Sequence, residues 1–339
     1  MFIEQSKSES LLEMATSYVL SKAIYVSVAL DIPSLLARKP LKLEELATAT
    51  STEPNALRRL LGYLISHGVF STTIKGQYEN NDLSVLLRPD VENSLAHLIR
   101  LICDEQYLAF DGLLTSVRTG KPVFAQHFGD DFFTYLAKNT RMKSSFHKAM
   151  GLNKQDDLIA EGIAKHIPDR THLVDVGGGN GNLAISLLRS IPNLTAEVFD
   201  RPEQVETTQY LIEKQAVGFR CNVSGGDFFK AVPRGDTIIL KRIIHNWAQP
   251  DIIKLLSNCR QSLEKDGRLF IIERLLEDEC DNKFARFSDL SMLVLHTGRE
   301  RYLYEYERLL VSGGFELSNV HNFGIDMVAI EARAKTLGK

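Results

Sequence analysis

Few of the features that place a protein in a specialised class are present. Only four cysteines occur in 339 residues (Cys103, Cys221, Cys259 and Cys280), and none falls in a CxxC pair. No His/Cys spacing resembles a zinc site, so neither a disulfide framework nor a structural metal is indicated, and reduced, mostly buried thiols are expected. Charge of one sign is not in excess. Lys plus Arg is 40 and Asp plus Glu is 43, a net charge of −3 with neutral histidines, which implies no general attraction to nucleic acid or anionic lipid. Long apolar runs are missing too: the longest near the N-terminus, Ala23–Ile32, falls well short of the ~20 residues of a membrane span. The opening MFIEQSKSES has neither the basic start nor the apolar core of a signal peptide, so a cytoplasmic protein is expected. The remaining balance, 44% apolar and 24% charged, is that of a soluble globular chain, with room for about two domains of roughly 100–200 residues.

The first half reads as helices. Ser10–Ile32 carries apolar residues at three- and four-residue steps (Leu11, Met14, Tyr18, Ile24, Val28), and Tyr25, Val26 and Ala29 widen the stripe. That is more apolar surface than one globular face needs, so either a second chain covers part of it or the helix is buried within its own subunit. Between Leu41 and Leu87 a short helix (Leu43–Ala49), the turn Ser51–Pro54, a longer helix with Leu57, Leu60, Leu61, Leu64 and Ile65 on one face, and a hairpin around Lys75-Gly76 together read as a winged helix. Its charge counts against DNA. Lys42, Arg58, Arg59, Lys75 and Arg88 are balanced by Glu44, Glu45, Glu53, Glu79 and Asp82, where a DNA reader needs a basic footprint. The module is read as an interaction scaffold. Helical patterns continue through Leu95–Leu114, Phe132–Leu136 and Met142–Ile167.

From His172 the pattern becomes strand–helix alternation. The expected strands are Leu173–Val176, Ala196–Phe199, Phe219–Asn222, Thr237–Leu240 and Leu269–Ile272, with helices at Leu183–Arg189, Pro202–Lys214 and Asp251–Leu263 between them. This is the pattern of a doubly wound, largely parallel α/β sheet. Phe315–Val320 and Met327–Ala332 follow one another too closely for a parallel crossover, so they are expected to pair antiparallel.

The first strand of that half runs into Asp175-Val-Gly177-Gly-Gly179-Asn-Gly181-Asn182. Glycines let the backbone approach a ligand closely. Asn182 stands where a dinucleotide fingerprint has its third glycine, and the carboxylate of Asp175 suits a cation better than a pyrophosphate, which prefers bare amides at a helix N-terminus. This DxGxGxG pattern resembles class I S-adenosylmethionine-dependent methyltransferases, whose ligand carries a sulfonium and an ammonium. The resemblance implies that Asp200, ending the second strand, accepts from the ribose hydroxyls. It also implies that Asp227 and Phe228, in Gly225-Gly-Asp-Phe-Phe229, meet the adenine.

Lys241-Arg-Ile-Ile-His245-Asn246-Trp247 leaves the fourth strand, where ligands of such sheets sit. Here the resemblance narrows to small-molecule O-methyltransferases of the caffeate and acetylserotonin type, and it runs over roughly residues 10–335. It implies a Rossmann-like α/β catalytic domain with a mostly parallel seven-stranded sheet, preceded by a mainly α winged-helix dimerisation domain. The expected division is 1–100 for dimerisation, 101–170 for a helical linker contributing to the acceptor pocket, and 171–339 for the catalytic domain. It also implies a homodimer, S-adenosyl-L-methionine as cofactor with S-adenosyl-L-homocysteine as product, and His245 as general base. Glu273 and Glu300 would flank that base, and Lys241, with Asp175, Gly177 and Gly179, would line the cofactor site. The acceptor is expected to be a hydroxylated aromatic or polyketide-like small molecule, methylated without a metal. Phe146, Met150, Asn246, Asp289, Met292 and His296 are expected around it; no nucleic acid or membrane partner is.

Two residues depart from the family pattern: Asn246 replaces a common aspartate, and Tyr302 a common threonine. Three rivals stand beside this reading. One is a relative that binds the same cofactor but catalyses hydroxylation, decarboxylation or ring closure. The others are a DNA-binding regulator and an NAD-linked oxidoreductase.

Overall fold

The computed structural model describes residues 6–91, 93–150, 153–277 and 282–335. They form two compact units. One takes the chain up to Leu108 together with Thr140–Met150, and the other takes Ala109–Asn139 and the chain beyond residue 150. The stretch 101–170 therefore contributes to both units.

In the first unit a helix spans Lys7–Ala29, started by Ser6, whose hydroxyl accepts from the Glu9 N–H while the Glu9 carboxylate accepts from Ser6 N–H. This reciprocal cap satisfies two otherwise orphaned amides. The helix begins three residues earlier than its apolar pattern suggests and ends before Asp31, which turns left-handed at φ 54°. Its exposed face carries Leu11, Leu12, Met14 and Tyr18, with Met14 71% exposed. Helices Leu43–Thr50 and Pro54–Ser66 and the short antiparallel pair β1 (Ser71–Thr72) and β2 (Tyr78–Glu79) complete the helix-turn-helix and wing. Leu46, Leu57, Leu61, Leu64 and Phe70 close the core beneath them. The helical pattern over Leu95–Leu114 is present as a run of short pieces, with Ala96–Leu101 passing into a π turn at Ile102–Gln106.

The second unit is built on one seven-stranded sheet: β3 (His172–Val176), β4 (Thr195–Asp200), β5 (Cys221–Gly225), β6 (Gly235–Lys241), β7 (Leu263–Glu273), β8 (Phe315–Asn322) and β9 (Val328–Ala334), in the spatial order 5-4-3-6-7-9-8. Strands β3 to β7 pair in parallel, and β9 pairs antiparallel with both β7 and β8. Ile238–Leu240 and Leu269–Ile272 are completely buried, as expected of central parallel strands covered on both faces. The third strand of this half starts two residues later than its sequence suggests. Arg220 is drawn back to donate to the carbonyls of Leu188, Ile191 and Leu194, which makes Gly218–Arg220 a 3-10 turn and leaves Phe219 87% exposed.

Cys103, Cys221 and Cys259 are buried free thiols, as expected, and Cys280 lies outside the described residues. Among the described residues no helix is long and apolar enough to cross a membrane.

The reversal of strand order beside β3 puts the C-terminal ends of β3, β4, β6 and β7 along one rim, with Asp175, Asp200, Lys241 and Glu273 on it. Phe270 lies fully buried in the centre of β7. Phe270→Ala should therefore lower the unfolding free energy by about 3–5 kcal/mol, read as a reduced midpoint in urea at unchanged slope.

Candidate active site

The glycine loop after β3 is possible only because three of its residues adopt positive φ: Gly177 (70°), Gly179 (56°) and Gly181 (75°). A Cβ on Gly178 would stand 2.7 Å from the Asp175 carboxylate, so the loop folds directly over that acid. At Gly179 an added Cβ would meet nothing within 4 Å, which leaves the loop's crest open to a ligand. Asp200, at the end of β4, accepts from the Gly179 N–H through Oδ2 (2.8 Å) and from the Arg201 N–H through Oδ1 (2.7 Å). The Thr208 hydroxyl donates to Gly179 O from the following helix.

The electrostatics of this rim suit a cation. Asp175 is buried, and desolvation pushes its carboxyl up to about 7 against the opposing pull of Lys241, with Asp156 and Asp200 adding to the rise. Burial likewise raises Asp200, although its two backbone donors and Arg201 pull the other way. Lys241 is paired with Asp156, a buried acid on the helix Asn153–Ala164. A ligand with positive charge would relieve Asp175 by favouring its ionised form. Asp227 and Phe228 follow β5. Asp227 is exposed and uses one oxygen to accept from the Phe229 N–H, and the Phe228 ring lies edge-on to Phe229 and Trp247.

Beyond β6 the chain makes a 3-10 turn at Ile244–Asn246 that buries His245. Two acids meet it. Glu300 Oε1 lies 2.8 Å from His245 Nδ1 and also accepts from the Ser288 hydroxyl at 2.6 Å. Glu273 Oε1 accepts from the His245 backbone N–H at 3.2 Å, with its other oxygen 3.9 Å from Nδ1. Burial raises both acids, but they end apart. Glu273 remains above the usual carboxylate range, whereas hydrogen bonds from His245 and Ser288 and the charges of His245 and Arg242 bring Glu300 below it. An ionised Glu300 fixes the ring proton on Nδ1 and leaves Nε2 with its lone pair. Arg242 Nε–H donates to that nitrogen at 3.4 Å.

Gly298 brings Glu300 this close. A Cβ there would lie 2.1 Å from His245 O and 2.4 Å from the Asn246 and Trp247 backbone, so the two segments touch main chain to main chain. Arg301 then clamps the turn by donating to the carbonyls of Ile244 and Trp247.

Several expected acceptor-side residues carry the frame. Asp289, on the helix Lys283–Leu295, accepts from the Glu300 N–H (3.0 Å), and the Asn246 amide donates to the carbonyls of Arg242 and Ile243. Met292 is buried on the same helix as Asp289. His296 packs against the rings of Phe132 and Phe133, and desolvation drives its pKa down to about 3, so it is neutral. Phe146 belongs to the first unit, on Thr140–Met150, and the side chain of Met150 lies outside the described residues. Sequence reasoning missed Arg242, Ser288, Asp156 and Phe133. Of these only Arg242 had a local signal, its three-residue offset from His245. The others reach the site from elements remote in the chain.

Among the described residues two sets of side chains bring ligand-type atoms within 4.8 Å of one another, His245 with Glu273 and Glu300, and His166 with His321 and Glu331. In the first, the Nδ1 and hydroxyl donors already converge on Glu300.

Comparison with known proteins identifies the two parts of the chain. Residues 12–90 match the O-methyltransferase dimerisation domain and residues 110–316 the O-methyltransferase domain. A phenazine O-methyltransferase of Lysobacter antibioticus is 34% identical over 328 residues, covering 96% of each chain. A phenazine-1-carboxylate N-methyltransferase of Pseudomonas aeruginosa is 28% identical over 330 residues, 96% of this chain and 98% of the other. The crystal structure of human N-acetylserotonin methyltransferase with SAM superposes with a TM-score of 0.87 at 26% identity, covering 99% and 100%.

The raised carboxyl of Asp175 has a consequence for stability. The folded chain holds a proton that the unfolded chain releases between about pH 4 and 7, so the ligand-free protein should lose stability as pH rises through that window, by about 1 kcal/mol per unit. Asp175→Asn should flatten this slope and be the more stable form at pH 8, as measured by thermal unfolding across pH.

Proposed function

The chain belongs to the O-methyltransferase family, with a dimerisation domain followed by a catalytic domain, and is an S-adenosylmethionine-dependent methyltransferase of small molecules; on that premise we propose that it methylates a phenolic hydroxyl with His245 as general base. The observation that carries this reading is the hydrogen bond between His245 Nδ1 and Glu300, which leaves the ring's lone pair on Nε2.

S-adenosylmethionine supplies a methyl group already activated on a sulfonium sulfur. Gly177 and Gly179 would admit it, Asp200 would take the ribose hydroxyls, Phe228 and Asp227 would meet the adenine, and Asp175 would answer the positive charge, with Lys241 held beside it by Asp156. What remains is a proton. A phenol with a pKa near 10 is almost wholly neutral at pH 7, and Nε2 would take its proton as the oxygen attacks. The resulting imidazolium would be compensated by Glu300, while Glu273 anchors the turn through the His245 N–H. Alignment of oxygen, methyl and sulfur would supply much of the rest. The expected acceptor is an aromatic or polyketide-like small molecule. Oxygen is preferred over nitrogen because a buried base with its tautomer fixed serves a hydroxyl, whereas many amines are nucleophilic without one. The division at residues 100 and 170 into dimerisation, linker and catalytic segments belongs to the same proposal.

Transfer of labelled methyl to a panel of phenols should fall by ~10²-fold or more in His245→Ala and be unchanged by a chelator. Transfer that survives the substitution would remove His245 as the base, and loss with chelator would reassign the His245–Glu273–Glu300 set to a metal.

The exposed apolar face of the helix Lys7–Ala29, with Leu11 68% and Met14 71% exposed, supports a homodimer in which a second copy covers it. Met14→Glu combined with Leu11→Glu should shift the protein from dimer to monomer in sedimentation, whereas unchanged mass would place the interface elsewhere.

A further inference from the structure

His166, His321 and Glu331 come together from three places in the chain. His321 lies on β8 and Glu331 on β9, and the pairing of His321 with Ala329 makes the two diagonal neighbours on one face of the sheet. Arg268 of β7 pairs with Arg333, so it is diagonal to Glu331 on the same face. His166 follows the end of the helix Asn153–Ala164. The setting is apolar: Ile159 and Ile163 of that helix share one core cluster with Phe270, Ile272 and Ala329 of the strands.

Polar groups on such a face are costly unless partnered. The Glu331 and His321 side chains are nonetheless only 5% and 9% exposed. Glu331 Oε1 accepts from Arg268 Nη1 at 3.0 Å, and its Oε2 lies 2.9 Å from His321 Nε2. The same Arg268 nitrogen donates to His166 O at 2.6 Å, which ties the third residue to the pair. Arg268 therefore balances the charge of Glu331, and His321 satisfies its second oxygen. Neither need accounts for the partly exposed His166. Among the described residues its ring makes no hydrogen bond, and it lies 4.0 Å from the His321 ring, tilted by 36°.

We infer that His166, His321 and Glu331 form a site for one zinc-type divalent ion, separate from the base. Two imidazole nitrogens and a carboxylate oxygen suit zinc and its neighbours, whereas magnesium and calcium take oxygen ligands. Their ligand atoms all lie within 4.8 Å of one another. Donors sharing a tetrahedral ion at bonds of about 2.0–2.2 Å stand roughly 3.3–3.5 Å apart. The His321–Glu331 pair is already inside that spacing, and a rotation of the His166 ring closes the rest. The proton on His321 Nε2 passes to Nδ1, so the ring stays neutral and Nε2 binds. Arg268 keeps Glu331 Oε1 and orients the carboxylate from outside the ligand set, and water takes the fourth position. Glu331 stands three residues along β9 from Val328, the partner of Glu273, about 10 Å at the rise of a strand. The ion thus acts on the frame. It ties the end of the helix that carries Asp156, the partner of Lys241, to the two outer strands, so its loss costs stability and leaves the chemistry at His245 unchanged.

The test titrates the metal-stripped full-length protein with Co²⁺, read by its visible absorption, and with Zn²⁺, read by calorimetry and thermal unfolding. One equivalent should bind, Zn²⁺ should raise the unfolding temperature, and Mg²⁺ should do neither. His166→Ala and His321→Ala should each weaken binding by about 100-fold or more, beyond the loss typical of an outer-shell residue, while His245→Ala leaves it unchanged. His166 is partly exposed, so His166→Ala should unfold like the native protein without metal and decides the matter if His321→Ala fails to fold. No binding to the native protein overturns the proposal, and so does binding that survives His166→Ala. Binding lost in His245→Ala overturns it too, because the ion would then sit at the base.

Discussion

The contact between His245 and Glu300 is the constraint around which the catalytic unit is arranged. It joins a turn after β6 to a segment more than fifty residues away, and each end is fixed by several independent interactions. Glu273 and Arg301 hold the turn, while Ser288 and Asp289 hold Glu300. Gly298 removes the side chain that would keep the two backbones apart. Burying a histidine with two acids is costly unless charge and hydrogen bonds balance. The balance is unequal by design of the surroundings: Glu300, with more donors, is drawn to its ionised form, and Glu273 is pushed towards its neutral one. One acid therefore sets the tautomer, and the other serves as a backbone anchor.

A second tension lies along the rim of β3 and β4. Asp175 and Asp200 are both raised by burial and stand near Asp156, with Lys241 as the opposing charge. An arrangement of buried acids around a glycine loop is a poor one for an isolated protein and a good one for holding a cation, because the ligand supplies the charge that the fold withholds. The two tensions meet at β6: Lys241 faces the acids of the cofactor loop, and the residue after it turns left-handed towards the base. On the proposed function a single strand end would serve both halves of the reaction.

Aromatic rings connect these halves. Trp247 lies edge-on to Phe228 and Phe229 and is stacked on Phe133, which in turn packs on His296. On the proposed function, cofactor-side and base-side residues would share this wall of packed rings. The neutrality of His296 follows from the same packing, since desolvation among rings disfavours its charge.

Most of the scaffold was legible in the amino-acid order because it depends on local signals. Continuous apolar runs announce buried parallel strands, the short gap before β9 dictates an antiparallel hairpin, and Asp175 among glycines points to a cationic ligand. The resemblance to O-methyltransferases then singled out His245, Glu273 and Glu300 from ordinary histidines and glutamates. Where an expected strand start moved, a distant contact had overridden a local preference: Arg220 reached back to three carbonyls and delayed β5. The tertiary structure alone decided which acid pairs with which ring nitrogen, that Asn246 and Asp289 spend their polar groups on the frame, and that Asp156 partners Lys241. Such matters turn on tenths of an ångström between segments far apart in the chain, and hydrogen bonding and desolvation vary steeply over that range. Periodicity and composition carry no record of them.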